Sequence, residues 1–256
     1  MRIQALAPIS SSRPLAFKSL DYKPTQYRDI NGHIRTSQNT TGMRNDLSYT
    51  DLAEIIKYRF SDFDRVNIMP MNVSDGTEAY FIANALIDVN GLDKCKKKYF
   101  PICASDIDSE VINKYGKAGV VYLSEYEKNL LNSDNSNIFN VCDEFELRDE
   151  SAKGKLCKLS DEHKNNFNFE VNDFQQRLKD FEDEGNSVII IRNCLRQSFG
   201  DIDSAVLVFD IAEKLKGESL LVIGDADRVR MPFFNNALNI CFKEIKHNIF
   251  EKRGDN

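Results

Sequence analysis

The sequence has no tryptophan and few of the residues from which metal sites and disulfide bonds are built. Its three histidines lie far apart, and none stands in the H-x-x-x-H or H-E-x-x-H spacing of a zinc site. The six cysteines are scattered and form no C-x-x-C pair, a pattern typical of reduced thiols in a cytoplasmic protein. We therefore expect a chain without a bound metal ion or disulfide bonds.

Long apolar runs and an excess of positive charge are also absent. No run approaches the roughly 20 residues that span a bilayer. The N-terminal stretch is broken by Pro8, a serine run and Pro14, unlike the apolar core of a signal peptide. Lys and Arg total 34 against 40 Asp and Glu, which gives a net charge of -6. We expect a soluble, cytoplasmic protein whose partners include neither nucleic acid nor a membrane, and the sequence gives no signal of an oligomeric state.

The composition changes near residue 45. Residues 1–45 are rich in Ser, Thr, Asn, Gln and Pro and show no amphipathic period, which predicts a partly disordered N-terminal arm. Residues 46–256 predict one folded domain with a large core. Its first helix is predicted to begin after Ser48, where a capping pattern precedes apolar residues at helical spacing.

Short apolar runs then alternate with helical patterns. Strands are predicted at Val66–Met69, Tyr99–Ala104, Phe167–Val171, Val188–Ile191 and Ser219–Ile223, with two closing strands in the tail. Helices are predicted at Thr77–Val89, from Ser109, at Phe174–Phe181 and at Ile202–Leu215. Residues 120–166 predict short helices and connections, and the lysine cluster at residues 94–98 predicts a solvated connection. The alternation indicates an α/β fold with a doubly wound, mostly parallel sheet in which the first strand and Val188–Ile191 are central neighbours.

Ligands of open α/β sheets bind outside the carboxyl ends of the strands, and three polar segments follow predicted strands. The first runs from Asn72 to Glu78. Asn72 and Gly76 suit positive φ, and the next helix directs its N–H groups toward a ligand. The segment also fits an ordinary turn in which Glu78 complements the helix dipole.

The second and third segments carry charged side chains. Asp106, at the end of the second strand, suits the two hydroxyls of a ribose, whereas we assign Asp108 to the cap of the following helix; either carboxylate also fits the cap alone. Arg192 and Asn193 follow the most apolar strand. Burying them without partners is costly, so we expect them to face the crevice, with a salt-bridged loop arginine as the alternative.

Four stretches have a familiar order: QNTTGMR at 38–44, NVSDGTEAYFIA at 72–83, ASDIDSEV at 104–111 and IRN at 191–193. They resemble N-x-T-x-F-F-R, G-C-S-T-G-E-E-P-Y-S-I-A, A-S-D-I-D-x-x-V and C-R-N of the CheR-type S-adenosylmethionine-dependent methyltransferases, which methylate glutamates of chemotaxis receptors. The resemblance extends from about residue 38 to the C-terminus. It implies a class I, Rossmann-like methyltransferase fold with S-adenosyl-L-methionine as cofactor.

The resemblance also implies roles for individual residues. Glu78 would contact the amino acid end of the cofactor, Asp106 its ribose, and Asn172 with Asp173 its adenine region, while Asn72 and Gly76 form the turn that approaches it. The remaining implied positions are Gln38, Thr40 and Arg44 over the cofactor, and the candidate catalytic residues Arg192, Asn193 and Gln197 on the methyl-transfer side.

Several positions depart from the family pattern. Asn72 replaces a glycine, Thr77 an acidic residue, Gly42-Met43 a pair of aromatics, and Gln197 an aromatic. An ionised carboxylate accepts a methyl group without a general base, so a sequence with no His or Cys dyad fits O-methylation of a glutamate-like protein side chain. Two alternatives stay open: a small-molecule methyltransferase that uses the same crevice, and a catalytically silent cofactor-binding scaffold.

Overall fold

The computed structural model describes most of the chain from Asp46 onward, together with two short pairs upstream: residues 27–28, 34–35, 46–123, 127, 131, 138–141 and 155–254. Most of the predicted arm lies outside these residues, so its boundary at residue 45 stays a prediction. In the described part of the chain, no helix is long and apolar enough to cross a membrane.

Helices and strands alternate along the described chain. The strands are β1 (Tyr27–Arg28), β2 (Ile34–Arg35), β3 (Asn67–Met71), β4 (Ile102–Asp106), β5 (Val120–Leu123), β6 (Phe139–Val141), β7 (Lys155–Leu159), β8 (Phe167–Val171), β9 (Ser187–Ile191), β10 (Leu220–Ile223), β11 (Phe242–Lys246) and β12 (Ile249–Lys252). The helices are α1 (Tyr49–Arg59), α2 (Thr77–Asn90), α3 (Leu92–Lys98), α4 (Ser109–Val111), α5 (Phe174–Asp180), α6 (Leu195–Ser198), α7 (Asp201–Lys214), α8 (Asp225–Arg228) and α9 (Pro232–Cys241). A π-helical segment at Ile112–Gly116 continues α4, and a 3₁₀ helix at Asp161–Asn166 precedes β8.

Seven strands form the main sheet in the order β11-β12-β10-β9-β3-β4-β8. Strands β10, β9, β3, β4 and β8 pair in parallel, whereas β12 is antiparallel to both of its neighbours. The chain runs outward from β3 to β4 and β8 and then returns to β9 on the other side of β3. The strand order therefore reverses between β3 and β9, both interior strands, which confirms the predicted doubly wound α/β fold and its central neighbours.

Alternation within the central strands divides the core between the two faces of the sheet. In β9 and β10 every residue is buried. Val188 and Ile190 pack with α1 and α2 on one face, while Ile189 and Ile191 pack with α7 and α9 on the other. A strand covered on both faces needs an uninterrupted apolar run, which is what the sequence supplies at these positions.

The expectation of short helices in residues 120–166 is confirmed at the 3₁₀ helix Asp161–Asn166 but missed three strands. Strands β5, β7 and β6 form a small antiparallel sheet. In β5 and β7 the buried residues Val121, Leu123, Cys157 and Leu159 stand at alternate positions, and Phe139 of β6 is also buried. Each strand offers only two such positions, too few to establish a period of two in the sequence. The lysine cluster at residues 94–98 was predicted to be a connection, but it lies in helix α3.

Candidate active site

The loop after β3 carries three residues with left-handed backbone conformation. Asn72, Ser74 and Gly76 have φ of 58°, 53° and 89°. Asparagine tolerates this region better than most residues, so its replacement of the family glycine keeps the backbone path. A Cβ on Gly76 would stand 2.6 Å from a ring carbon of Phe169, which requires glycine at that position for a second, steric reason.

The departure at Thr77 also has a local explanation. The Thr77 N–H and hydroxyl both donate to Asp75 Oδ1, at 3.0 and 2.7 Å. The family motif reads T-G-E at these three positions and this chain reads D-G-T, so a hydroxyl and a carboxylate exchange places around Gly76. Here Thr77 and Asp75 hydrogen bond to each other at the start of α2. Glu78 is the acidic residue in the first turn of that helix.

Arg192, directly after β9, joins three residues from distant parts of the chain. Its side chain is 1% exposed. Nη1 donates to Glu78 Oε1 and, at 2.8 Å, to the Tyr49 hydroxyl, and Nη2 donates to Asp46 Oδ1. Burial lowers the pKa of Arg192. The negative charges of Glu78 and Asp46 raise this pKa by more, so the net shift is upward. Conversely, burial raises the pKa of Asp46, but Arg192 and the Asp225 N–H lower it overall.

This cluster holds two carboxylates against one guanidinium. In the described structure both hydrogen bonds to Glu78 end on Oε1, so Oε2 is the oxygen that remains for a further donor. The surplus negative charge suits a ligand with cationic groups. The structure thus brings Glu78 and Arg192 together at the ends of neighbouring strands, and Arg192 is salt-bridged, as in the alternative interpretation; its role toward a ligand stays a prediction.

Asp106, at the end of β4, is 2% exposed and supports the same loop. Its Oδ2 accepts from Ser74 N at 2.7 Å and its Oδ1 from Asp108 N at 2.9 Å. Asp108 in turn accepts from Glu110 N and Val111 N, each at 3.1 Å, which confirms it as the cap of α4. The ribose role of Asp106 stays a prediction. Burial raises the pKa of Asp106 to about 6, despite the backbone N–H groups that lower it.

This raised pKa predicts a pH dependence of stability. The folded protein binds the Asp106 proton more tightly than the unfolded chain, whose value is near 3.8. We therefore expect this carboxyl to make the free energy of unfolding fall as the pH rises from about 4 to about 6, by up to about 3 kcal/mol. Asp106→Asn removes the titration and should flatten that slope in urea unfolding. An unchanged slope in the variant would contradict the assignment, whatever its absolute stability.

The structure describes the remaining predicted residues to different extents. The backbone N–H of Asn172 donates to the Asp106 carbonyl at 3.0 Å, so Asn172 lies at the same sheet edge. Asp173 caps α5 through Gln175 N and Gln176 N, and its adenine role stays a prediction. Gln197 lies in α6, with its side chain outside the described residues. The predicted positions wholly outside the described residues are Gln38, Thr40 and Arg44.

Three residues of the site were not predicted: Asp46, Tyr49 and Asp227. Asp227 follows β10 and accepts from Leu195 N at 2.8 Å and from Asn193 N. The strand-end rule that selected the other segments also applies to it. Asp46 precedes α1 and Tyr49 is its first residue; they have no such signal, because they enter the site through contacts with residues far along the chain.

The donor set fits a small polar cofactor at this edge of the sheet. The buried side-chain atoms that lack a hydrogen-bond partner in the described structure include Ser74 Oγ, after β3, and Arg192 Nε, after β9. Buried polar groups are nearly always paired in folded proteins, so these atoms favour a ligand with polar groups between the two loops. The set also includes a free carboxylate oxygen of Glu78 for an ammonium group.

Strand order and crevice together define a class I S-adenosylmethionine-dependent methyltransferase. The family model "CheR methyltransferase, SAM binding domain" matches residues 38–242, and the chain belongs to the CheR methyltransferase family. S-adenosyl-L-methionine is accordingly its cofactor. No curated protein matches the chain.

Solved structures with the same class of fold are distant in sequence. TrmN from Thermus thermophilus is 12% identical over 82% of this chain and 46% of its own, with a TM-score of 0.39. Precorrin-6y C5,15-methyltransferase from Geobacter metallireducens GS-15 is 8% identical over 85% and 90%, with a TM-score of 0.36. Coclaurine N-methyltransferase bound to N-methylheliamine and SAH is 12% identical, with a TM-score of 0.33, and this chain spans 38% of its length. Because these scores are low, the fold assignment rests on the strand order and the family match.

Proposed function

We propose that the protein transfers the methyl group of S-adenosyl-L-methionine to a carboxylate oxygen of a glutamate-like protein side chain. The observation that carries this proposal is that the described carboxylates of the crevice already act as hydrogen-bond acceptors. Glu78 and Asp46 bind Arg192, and Asp106 and Asp227 accept backbone N–H groups. A site so arranged favours an acceptor that arrives ionised and needs no proton removed.

The thiol of Cys194, next to Asn193, supports the same conclusion. Burial, with the charges of Asp227, Asp106 and Glu78, raises its pKa well above the ordinary value. A neutral thiol is a poor base and a poor nucleophile. Neither general-base nor covalent catalysis is therefore favoured at this position.

When bound, the cofactor supplies an electrophilic methyl group on a sulfonium whose charge disappears on transfer. The chain's task is to align the acceptor and exclude water. In our proposal Glu78 binds the cofactor's amino group, Asp106 its ribose, and Asn172 with Asp173 its adenine region. Arg192 and Asn193 line the methyl-transfer side and Gln197 orients the acceptor. Upstream of Asp46, the segment with Gln38, Thr40 and Arg44 covers the cofactor.

Binding and transfer can be tested with one pair of variants. Glu78 and Glu110 both lie in the first turn of a helix, but only Glu78 pairs with Arg192. Loss of a charged hydrogen bond costs about 1.5–3 kcal/mol, so Glu78→Gln should weaken binding of S-adenosylhomocysteine at least tenfold in calorimetry, while Glu110→Gln should not. In the wild type, ligand at about 100 times its Kd should add about 2.7 kcal/mol of stability.

The transfer arm uses labelled cofactor and glutamate-containing protein acceptors. We expect base-labile label, the signature of a carboxyl methyl ester, that is lost in Glu78→Gln. We also expect little label on standard chemoreceptor domains, because Gln197 replaces the family aromatic. Base-stable label would indicate nitrogen or carbon methylation and contradict the carboxylate proposal. Binding without any transfer would favour the scaffold alternative.

A further inference from the structure

The segment after β10, Gly224 to Asp227, contacts Asn193 directly and reaches Arg192 through Asp46. Asp227 is fully buried, and its carboxylate accepts from the N–H groups of Asn193, of Leu195 at 2.8 Å and of Arg196 at 3.4 Å. These donors are the backbone of the turn that leads from β9 into α6. A buried carboxylate fixed by several N–H groups holds such a turn in one geometry.

Asn193 has a left-handed backbone conformation at this turn. Its φ of 59° lies in a region that asparagine tolerates better than most residues but that still favours glycine. The hydrogen bond from Asn193 N to Asp227 acts at that residue. Asn193 is also one of the candidate catalytic residues.

Gly224 fixes the side chain of the same asparagine. Its φ of -82° and ψ of 153° suit any residue, so backbone conformation does not require glycine there. A Cβ at this position would stand 2.8 Å from Asn193 Oδ1 and 3.2 Å from its backbone N. Glycine therefore makes room for the Asn193 side chain.

Asp225 reaches Arg192 through Asp46. The Asp225 N–H donates to Asp46 Oδ2 at 2.9 Å, and Asn248 Nδ2 donates both to the Asp46 carbonyl, at 2.7 Å, and to Asp225 Oδ1, at 3.0 Å. The other oxygen of Asp46 accepts from Arg192. The position of the guanidinium thus also depends on this segment.

We infer that Gly224–Asp227 is a positioning element of the active site, in which Asp227 and Gly224 set the place of Asn193 and Asp225 sets that of Arg192. The effect of this segment on cofactor binding rests on the proposed function, whereas its effect on the backbone of the turn after β9 does not. A cap that served α6 alone would explain the bonds to Leu195 and Arg196 but not the contacts of Gly224 and Asp225.

The chain offers matched controls at both positions. Asp183 is 2% exposed and accepts from Gly185 N at 3.1 Å and Lys216 N at 2.7 Å, at the opposite edge of the sheet. Gly200 precedes α7 as Gly224 precedes α8, but a Cβ there would meet its nearest atom at an ordinary 3.6 Å. Asp183→Asn and Gly200→Ala therefore report the structural cost of each change away from the site.

The test combines calorimetry with S-adenosylhomocysteine and amide hydrogen exchange. We expect Asp227→Asn and Gly224→Ala to bind at least tenfold more weakly than their controls. We also expect faster exchange of the Asn193, Leu195 and Arg196 amides in Asp227→Asn alone. Wild-type affinity in both site variants, or equal losses in Asp227→Asn and Asp183→Asn, overturns the inference. If the wild type fails to bind S-adenosylhomocysteine, the proposed function fails, and amide exchange alone tests the positioning role. Unchanged protection of the three amides in Asp227→Asn would overturn that role. Selective loss of their protection would support it.

Discussion

Replacing Arg192 with alanine should lower the free energy of unfolding by about 3–5 kcal/mol, the usual cost of leaving buried charges without a partner. The variant leaves Glu78 and Asp46 in place, with side chains 15% and 12% exposed. Both carboxylates would remain largely buried without the guanidinium. Urea unfolding monitored by circular dichroism measures the difference.

Arg59 provides the matched control. It also binds two carboxylates, Glu251 at 2.8 Å and Glu218 at 3.1 Å, but this cluster is more exposed, with Glu218 at 52%. Solvent screens such pairs, so Arg59→Ala should cost about 1 kcal/mol or less. Equal losses in the two variants would show that burial of the Arg192 cluster does not set its energy.

The difference between wild type and Arg192→Ala should also depend on pH. The pKa of Asp46 is lowered from 3.8 in the folded protein, so its contribution is present above about pH 4 and is lost as the pH falls through the folded value. Without Arg192 most of this contribution disappears. Plotted against pH, the free energies of unfolding of the wild type and of Arg192→Ala should therefore approach each other below about pH 4. This pH range is separate from the range in which Asp106 titrates.

Local sequence patterns predicted the central part of the fold because the signals there are continuous. Val188–Ile191 is apolar at every position, and Thr77–Asn90 begins and ends at the expected turns. The two closing strands of the tail are confirmed by β11 and β12, but the helix before them, α9, was not predicted. Its buried residues Phe234, Ala237 and Leu238 have helical spacing, but Ile240 and Phe242 continue the apolar pattern into β11 without a break.

The site was predictable where it follows strands and unpredictable where it depends on distant contacts. Arg192, Asp106 and Glu78 all stand at the carboxyl end of a strand or just beyond. Asp46 lies in a polar segment and differs from its neighbours through distant partners, among them Arg192, 146 residues away, and Asp225. No local pattern records such a pairing, because the contact exists only in the folded chain.

Gly76→Ala should be among the most destabilising single changes near the cofactor crevice, at about 2–6 kcal/mol. A positive φ costs a non-glycine residue about 1–3 kcal/mol, and overpacking adds about 1–3 kcal/mol. The added Cβ would lie 2.6 and 2.8 Å from two ring carbons of Phe169. That ring cannot withdraw freely, since it packs against Tyr80 and Phe167 and also lies against Gly116.

Gly91 provides a control without a steric clash. It also has positive φ, 80°, and a Cβ there would meet nothing within 4 Å. Its ψ of 149° differs from the -1° of Gly76, so the two backbone costs are not equal, and the clash is measured by coupling to Phe169. Phe169→Leu shortens the opposing side chain, so it should destabilise the wild type but recover part of the loss in the Gly76→Ala background. Such a positive coupling in a double-mutant cycle, absent when Phe169→Leu is combined with Gly91→Ala, identifies the ring as the steric obstacle. Additive effects in both backgrounds would instead mean that the loop after β3 moves away from Phe169, and its glycine would then be required for backbone conformation alone.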